Sequence, residues 1–361
     1  MSWCRGSSAM QRKLVLLTLS LLLLSWGSVQ AQVVPAMILF GDSTIDVGNN
    51  NYLPGAIFKA NYAPYGQNFR RHTATGRFSD GKIVTDITSE TLGFAGYPPP
   101  YLSPLASGKN LLAGANFGSA ASSYDDDTAA MYDAITLSQQ LKYYKEYQSK
   151  LVAVAGRRGA RSILADALYV ISTGSGDFLQ NYYHNASLSA RYDVDRYCNH
   201  LVSIFSGFTD ELYKLGARRI GVTSMPPLGC LPAAIGLYGK GCSGCVRRLN
   251  GDAETFNRKL NATVNALMKR HEGLKVTVFD IYTPLRELSE KLTAQGFSEA
   301  RKTCCTTGKS GTRVYLCDPD TAIRMCQNAS NYVYFDGVHP SEAANVFIAE
   351  SMVSAGVGLL T

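Results

Sequence analysis

Short apolar runs recur along this chain at spacings that suit alternating strands and helices. Met37 to Phe40, Leu111 to Ala115, Ala167 to Ser172, Arg219 to Thr223 and Val276 to Asp280 are brief, and several are rich in Val and Ile with little polar alternation. Parallel strands covered on both faces read this way. Between them, apolar positions return at helical spacing in Ile135 to Val154, Asp193 to Gly216 (with Gly216 as a stop signal), Leu249 to Glu272 and Ser341 to Ala355. This alternation predicts a three-layer α/β domain with a mainly parallel sheet of about five strands. No internal repeat, linker or low-complexity tract breaks the pattern, so a single domain is expected over residues 32–361. Two stretches do not fit it. Asn49 to Pro104 is crowded with Gly, Pro, Tyr and Asn, and Thr303 to Tyr332 holds four cysteines. Both are long for loops inside a compact domain, which points to functional or disulfide-stapled segments.

The first residues follow a different logic. Arg5, Arg12 and Lys13 precede the apolar run Leu14 to Trp26, and Val29-Gln30-Ala31 supplies a small-x-small cleavage pattern. A secretory signal peptide over residues 1–31 is therefore expected. No later stretch is expected to span a membrane, which takes ~18 or more apolar residues. Loss of the leader lowers the net charge from +7 to +4, dispersed and without a basic stripe, so no nucleic-acid partner is expected. Secretion also makes the cysteines readable. Cys4 leaves with the leader, and Cys198, Cys230, Cys242, Cys245, Cys304, Cys305, Cys317 and Cys326 remain. An even number in an oxidising compartment favours disulfides, with connectivity open. The Cys242-Ser-Gly-Cys245 motif is expected to be structural rather than redox-active. Three sequons, at Asn185, Asn261 and Asn328, fit a glycoprotein.

Candidate chemistry begins at the end of the first strand, where Phe40-Gly-Asp-Ser-Thr-Ile-Asp46 passes abruptly from apolar to small polar residues. In open α/β sheets, ligands bind beyond the carboxyl ends of the strands. Ser43 is thus either a helix cap or an exposed nucleophile, with the next helix N-terminus available to stabilise negative charge. A serine nucleophile needs a base, and there are five histidines. His72 lies in a basic loop, His200 within a helical pattern and His271 at a helix end, while His184 in its polar loop stays open. His339 differs: it closes Asp336-Gly-Val-His339, so one tight loop can present a carboxylate and an imidazole together, as a Ser-His-Asp triad requires. Asp46 is a rival acid, but on the nucleophile's own turn it is expected to pin the loop. Asp125-Asp126-Asp127 lacks calcium-loop spacing and is expected to lead into a helix. There is no G-x-S-x-G elbow, zincin motif, P-loop or dinucleotide fingerprint, and no metal or cofactor is expected.

With these residues assembled, the chain resembles the plant GDSL-type esterase/lipases of the SGNH hydrolase superfamily. The similarity rests on Phe40 to Asn50, Thr75 to Gly81, Gly114 to Phe117, Pro226 to Pro232 and Asp336 to Asn345, and so runs through nearly the whole mature chain. The resemblance implies a flavodoxin-like α/β/α fold and metal-free hydrolysis of an acyl lipid or acylated cell-wall polymer. It also implies a Ser43–His339–Asp336 triad and action outside the cell, in the apoplast or cell wall. The family's oxyanion hole is made by the nucleophile's N–H, a second-block glycine N–H and a third-block asparagine amide. Here Ala121 replaces the glycine, and Gly176 stands in Gly174-Ser-Gly-Asp177 where the asparagine is usual. The hole is therefore read as Ser43, Ala121 and Gly176, with water, the Gly176 N–H or Ser175 as third donor. Loss of one oxyanion donor costs about 10²–10³ in kcat. Two alternatives stay open: a catalytically impaired glycoprotein that binds acyl or glycan ligands, and an acyltransferase of cutin-building type.

Overall fold

The first strand, β1 (Met37–Gly41), is buried at all five positions, as a central strand must be when helices cover both faces. Beside it lie β2 (Gly114–Asn116) and β3 (Leu168–Ser172), then β4 (Arg219–Thr223) and β5 (Lys275–Phe279). The sheet order is β2-β1-β3-β4-β5, all parallel, with Leu39 opposite both Asn116 and Val170. This is a flavodoxin-like order, as the family resemblance implies, and β1 ends at the point where the strand order reverses. The computed structural model describes residues 32–241, 244–290, 296–321 and 325–360. The expected leader over residues 1–31 and Cys242 lie outside the described residues.

The helices are α1 (Val84–Thr91), α2 (Asp126–Ala130), α3 (Leu137–Asp166), α4 (Ala186–Arg191) and α5 (Val194–Lys214). They continue with α6 (Pro232–Tyr238), α7 (Arg247–Arg270), α8 (Tyr282–Glu290) and α9 (Glu342–Leu360). Strand alternation sorts them into two layers. Phe40 meets Tyr144 of α3 and Phe208 of α5 edge-on, and the Tyr169 and Tyr144 hydroxyls are 2.8 Å apart. Met37, Leu168 and Val170 point the other way, toward α1 and α9.

Local chemistry explains most element ends. Asp193 caps α5 by accepting from the Arg196 N–H at 2.8 Å, and Gly216 beyond its last turn takes a φ of 108°. Asp125, the first of the three aspartates, caps α2 by accepting from the Asp127 N–H, so this cluster does lead into a helix. The predicted end of α3 at Val154 falls just before Gly156, whose φ of 70° interrupts the helix; the chain then resumes a helical course to Asp166. The strand expected at Leu111 to Ala115 is displaced. Leu111 and Leu112 belong to a 3₁₀ turn (Gly108–Ala113), and pairing with β1 begins only at Gly114. The expectation of no later spanning stretch also needs correction. Among the described residues α9 is long and apolar enough to cross a membrane, with mean hydropathy 1.5. It packs instead as a core helix, burying Ala344, Ile348, Met352 and Leu359.

Among the described residues three disulfides form: Cys230–Cys245, Cys304–Cys326 and Cys305–Cys317. Cys245 thus pairs outside the C-x-x-C motif. An even count did not bond every cysteine, because Cys198 sits unpaired on the buried face of α5. Burial pushes its thiol up to about 12, leaving it inert.

Candidate active site

The chain turns sharply at the end of β1. Gly41 has a φ of 145°, and a Cβ there would fall 1.9 Å from the Ser172 carbonyl oxygen, so only glycine lets β1 leave the sheet so close to β3. The Asp42 carbonyl accepts from Ile45 N–H at 3.1 Å and Asp46 N–H at 2.9 Å, which places Ser43 on a tight corner. Asp42 turns its carboxylate onto the Thr44 N–H at 2.9 Å and hydroxyl at 2.7 Å. Burial outweighs those bonds and raises its pKa from 3.8 to about 6.

No α-helix follows this turn directly; a short 3₁₀ helix (Asn49–Tyr52) comes next, and α1 starts only at Val84. The expected helix dipole behind Ser43 is therefore missing, and side chains fix the corner instead. Asp46 accepts from the Gly48 and Asn49 N–H groups, both at 2.7 Å, and from the Ala120 N–H at 3.0 Å. It pins the loop, as its position on the turn predicts. Asn49 donates to the Asn116 and Gly118 carbonyls, and Asn50 to those of Phe58 and Ala120. Gln140 from α3 closes the cradle, accepting from Gly41 N–H and donating to the Gly41 carbonyl and Ser122 hydroxyl, each at 2.9 Å.

Asp336 and His339 come from the loop before α9. His339 Nε2 lies 2.7 Å from Ser43 Oγ, and its Nδ1 lies 2.9 and 2.8 Å from the two Asp336 oxygens. Asp336 Oδ1 also accepts from the Val338 and His339 N–H groups at 3.0 and 2.7 Å. The Tyr65 hydroxyl donates to Oδ2 at 2.7 Å and accepts from the Cys317 N–H at 3.0 Å. Burial, then the Asp336 charge, raises the Tyr65 pKa far above its ordinary value, which keeps the hydroxyl a donor. Tyr65 was not foreseen; the only signal was its place in the tyrosine-rich Asn49–Pro104 stretch. The cysteine-rich stretch braces the same loop, with Cys305 N–H donating to the Phe335 carbonyl and Gly337 N–H to that of Tyr315.

The other histidines are engaged elsewhere. His200 meets Asp125 at 3.1 Å, His271 meets Asp210 at 2.6 Å, His184 faces Tyr238 at 3.0 Å, and His72 lies on an exposed loop beside the Gln67 carbonyl. Ala121 lines the cavity at Ser43 and holds a φ of 71°, a conformation that strains any residue with a Cβ. Gly176 also lines it, in ordinary helical conformation (φ −62°, ψ −36°), so the backbone there does not demand glycine. Asp177 beside it accepts from Tyr124 and Asp125 N–H and the Thr128 hydroxyl, tying the two blocks together, and burial raises its pKa well above normal. The sequon asparagines Asn185, Asn261 and Asn328 are exposed.

From Ser43 the cavity runs inward between the sheet and α1, α8 and α9, lined by Ile83, Val170, Leu285, Ile348 and Met352. A second, smaller cavity shares Thr85, Val170 and Met352 with it and continues toward Leu92, Phe279 and Leu360. A hydroxyl on a corner, an imidazole against it and an apolar channel behind it can acylate and deacylate a serine.

Comparison with known proteins points the same way. A family profile described as GDSL-like Lipase/Acylhydrolase matches residues 37–352. The Arabidopsis thaliana GDSL esterase/lipase APG is 54% identical over 343 residues, 95% of this chain and 96% of that protein. The GDSL esterase/lipase At5g03820 of the same plant is 52% identical over 331 residues, 91% of this chain and 93% of that protein. A parallel sheet in this order, a serine where the family motif places it and identity of this extent agree that the chain belongs to the GDSL lipase/acylhydrolase family and is a carboxylic ester hydrolase.

Proposed function

We propose that the protein is a secreted serine esterase that cleaves acyl esters through Ser43, His339 and Asp336. The observation that carries this reading is the unbroken relay from Ser43 Oγ to His339 Nε2 at 2.7 Å and from His339 Nδ1 to Asp336 at 2.8 Å. His339 takes the Ser43 proton as Oγ attacks the ester carbonyl carbon. The resulting oxyanion is held by the Ser43 and Ala121 N–H groups at the cavity edge. Collapse expels the alkoxide, which takes the proton from the imidazolium and leaves an acyl-serine. Water then attacks the acyl carbon, His339 again carrying the proton, and the free acid departs. Asp336 orients the ring and balances the imidazolium charge, its oxygens fixed by two backbone N–H groups and Tyr65.

The apolar channel behind Ser43 supports an acyl lipid or acylated cell-wall polymer as substrate, with the chain lying between the sheet and α9. Cleavage after residue 31, a catalytic domain over 32–361 and export to the apoplast or cell wall complete the reading, with glycans on Asn185, Asn261 and Asn328. The missing third-block amide favours one other reading, an acyl-binding glycoprotein with little turnover. Secreted protein and its Ser43→Ala variant, assayed on short-chain aryl esters, separate the two. Hydrolysis lost in the variant is the expected outcome, and equal rates would sink the enzyme reading.

A further inference from the structure

Gly176 lines the Ser43 cavity, and two buried polar atoms without hydrogen-bond partners crowd the place that a side chain there would take. A Cβ placed on Gly176 would lie 2.5 Å from Ser123 Oγ and 3.0 Å from Gln180 Oε1. Buried polar atoms in native proteins nearly always find partners, and Gln180, whose Oε1 has none, belongs to the lining of the Ser43 cavity. Gln180 comes from the turn that Gly176 itself opens, the π-helical segment Asp177–Tyr182. Helical side chains lean toward the N-terminus, so residue 180 lies back over residue 176. Its backbone is held by the Tyr132 hydroxyl, which donates to the Gln180 carbonyl at 2.8 Å. Gly176, Gln180 and Ser43 all line the one cavity.

We propose that the side-chain amide of Gln180 is the third oxyanion donor, reaching from the next turn into the space that a side chain at 176 would fill. The inference rests on the serine-esterase reading above. The inward oxygen has no partner, so a half-turn about the terminal bond exchanges it for Nε2 without breaking a hydrogen bond there. The amide N–H then donates to the oxyanion formed when Ser43 attacks. Gly176 and Gln180 are a matched pair: any Cβ at 176 would press on both Gln180 and Ser123.

The test measures kcat and KM on a short-chain aryl ester for wild type, Gln180→Met, Ser123→Ala, Gly176→Asn and the Gly176→Asn/Gln180→Met pair, with Ser43→Ala as control. Gln180→Met keeps the length and removes the donor; kcat is expected to fall by about 10² with little change in KM. Affinity for an aryl trifluoromethyl ketone, which forms a tetrahedral adduct on Ser43, should fall in parallel, as it would not for a residue that only fills space. Gly176→Asn should bring no gain either alone or in the Gln180→Met background, because Ser123 and the residue at 180 already fill the place its side chain would need; recovery of activity in the pair would count against the proposal. Wild-type kcat in Gln180→Met overturns the proposal, as does a loss confined to Ser123→Ala. An active Ser43→Ala would instead strike at the esterase reading itself.

Discussion

Tyr65→Phe isolates the outermost link of the relay. The ring is fully buried and meets Tyr62, Phe78 and Phe335 edge-on, and phenylalanine preserves all three contacts. Only the hydroxyl is lost, and with it two hydrogen bonds: to Asp336 Oδ2 at 2.7 Å and from Cys317 N–H at 3.0 Å. A hydrogen bond to a charged group is worth about 1.5–3 kcal/mol, and an orphaned buried N–H costs about 1–3 kcal/mol. Together these give a stability loss of about 3–6 kcal/mol, read from denaturant unfolding. The kinetic effect should be smaller than removal of the carboxylate. Asp336 Oδ1 keeps the Val338 and His339 N–H donors, so the carboxylate still faces the imidazole. Losing one such support, rather than the acid, should lower kcat about tenfold at unchanged KM, against ~10⁴ for a triad acid replaced by its amide. The assay is kcat and KM on an aryl ester beside Asp336→Asn. A kcat within twofold of wild type would refute the positioning role, and a loss equal to that of Asp336→Asn would refute the claim that the backbone donors suffice.

Two further outcomes follow from the cavity and the buried acids. Met352 stands between the two apolar cavities, so Met352→Ala should join them and admit longer acyl chains. At about 0.8 kcal/mol per buried methylene, room for two more carbons should raise the dodecanoate-to-butanoate ratio of kcat/KM roughly tenfold; an unchanged ratio would mean the chain lies elsewhere. Asp42 is an acid whose folded pKa is raised from 3.8 to about 6, so the folded state binds its proton more tightly than the unfolded chain. Its contribution to stability is fullest below the unfolded value and declines as pH rises toward 6, by roughly 3 kcal/mol in all. Asp42→Asn should therefore gain on wild type between pH 4 and 6.5 in unfolding free energy, and parallel curves would contradict the shift.

How much of this was legible in the sequence depended on the range of the interactions. β1 could be read because it is apolar and buried throughout, α5 because burial repeats at the helical period, and Asp336 and His339 because they lie three residues apart in one loop. β2 could not be placed correctly. Leu111 and Leu112 look like strand residues, but Gly114, with a φ of 105°, is where the backbone can first come alongside Met37. Tyr65 reaches Asp336 across 271 residues, and no local pattern announces such a contact. Position 176 is the instructive case. Read alone, a glycine there is a lost donor, and the chain looks like a weakened enzyme. On a helical turn, though, the space above a residue belongs to the side chain one turn further on, and here that side chain is an amide. A missing side chain can therefore be what admits its replacement, and whether Gly176 marks decay or exchange depends on what residue 180 donates to.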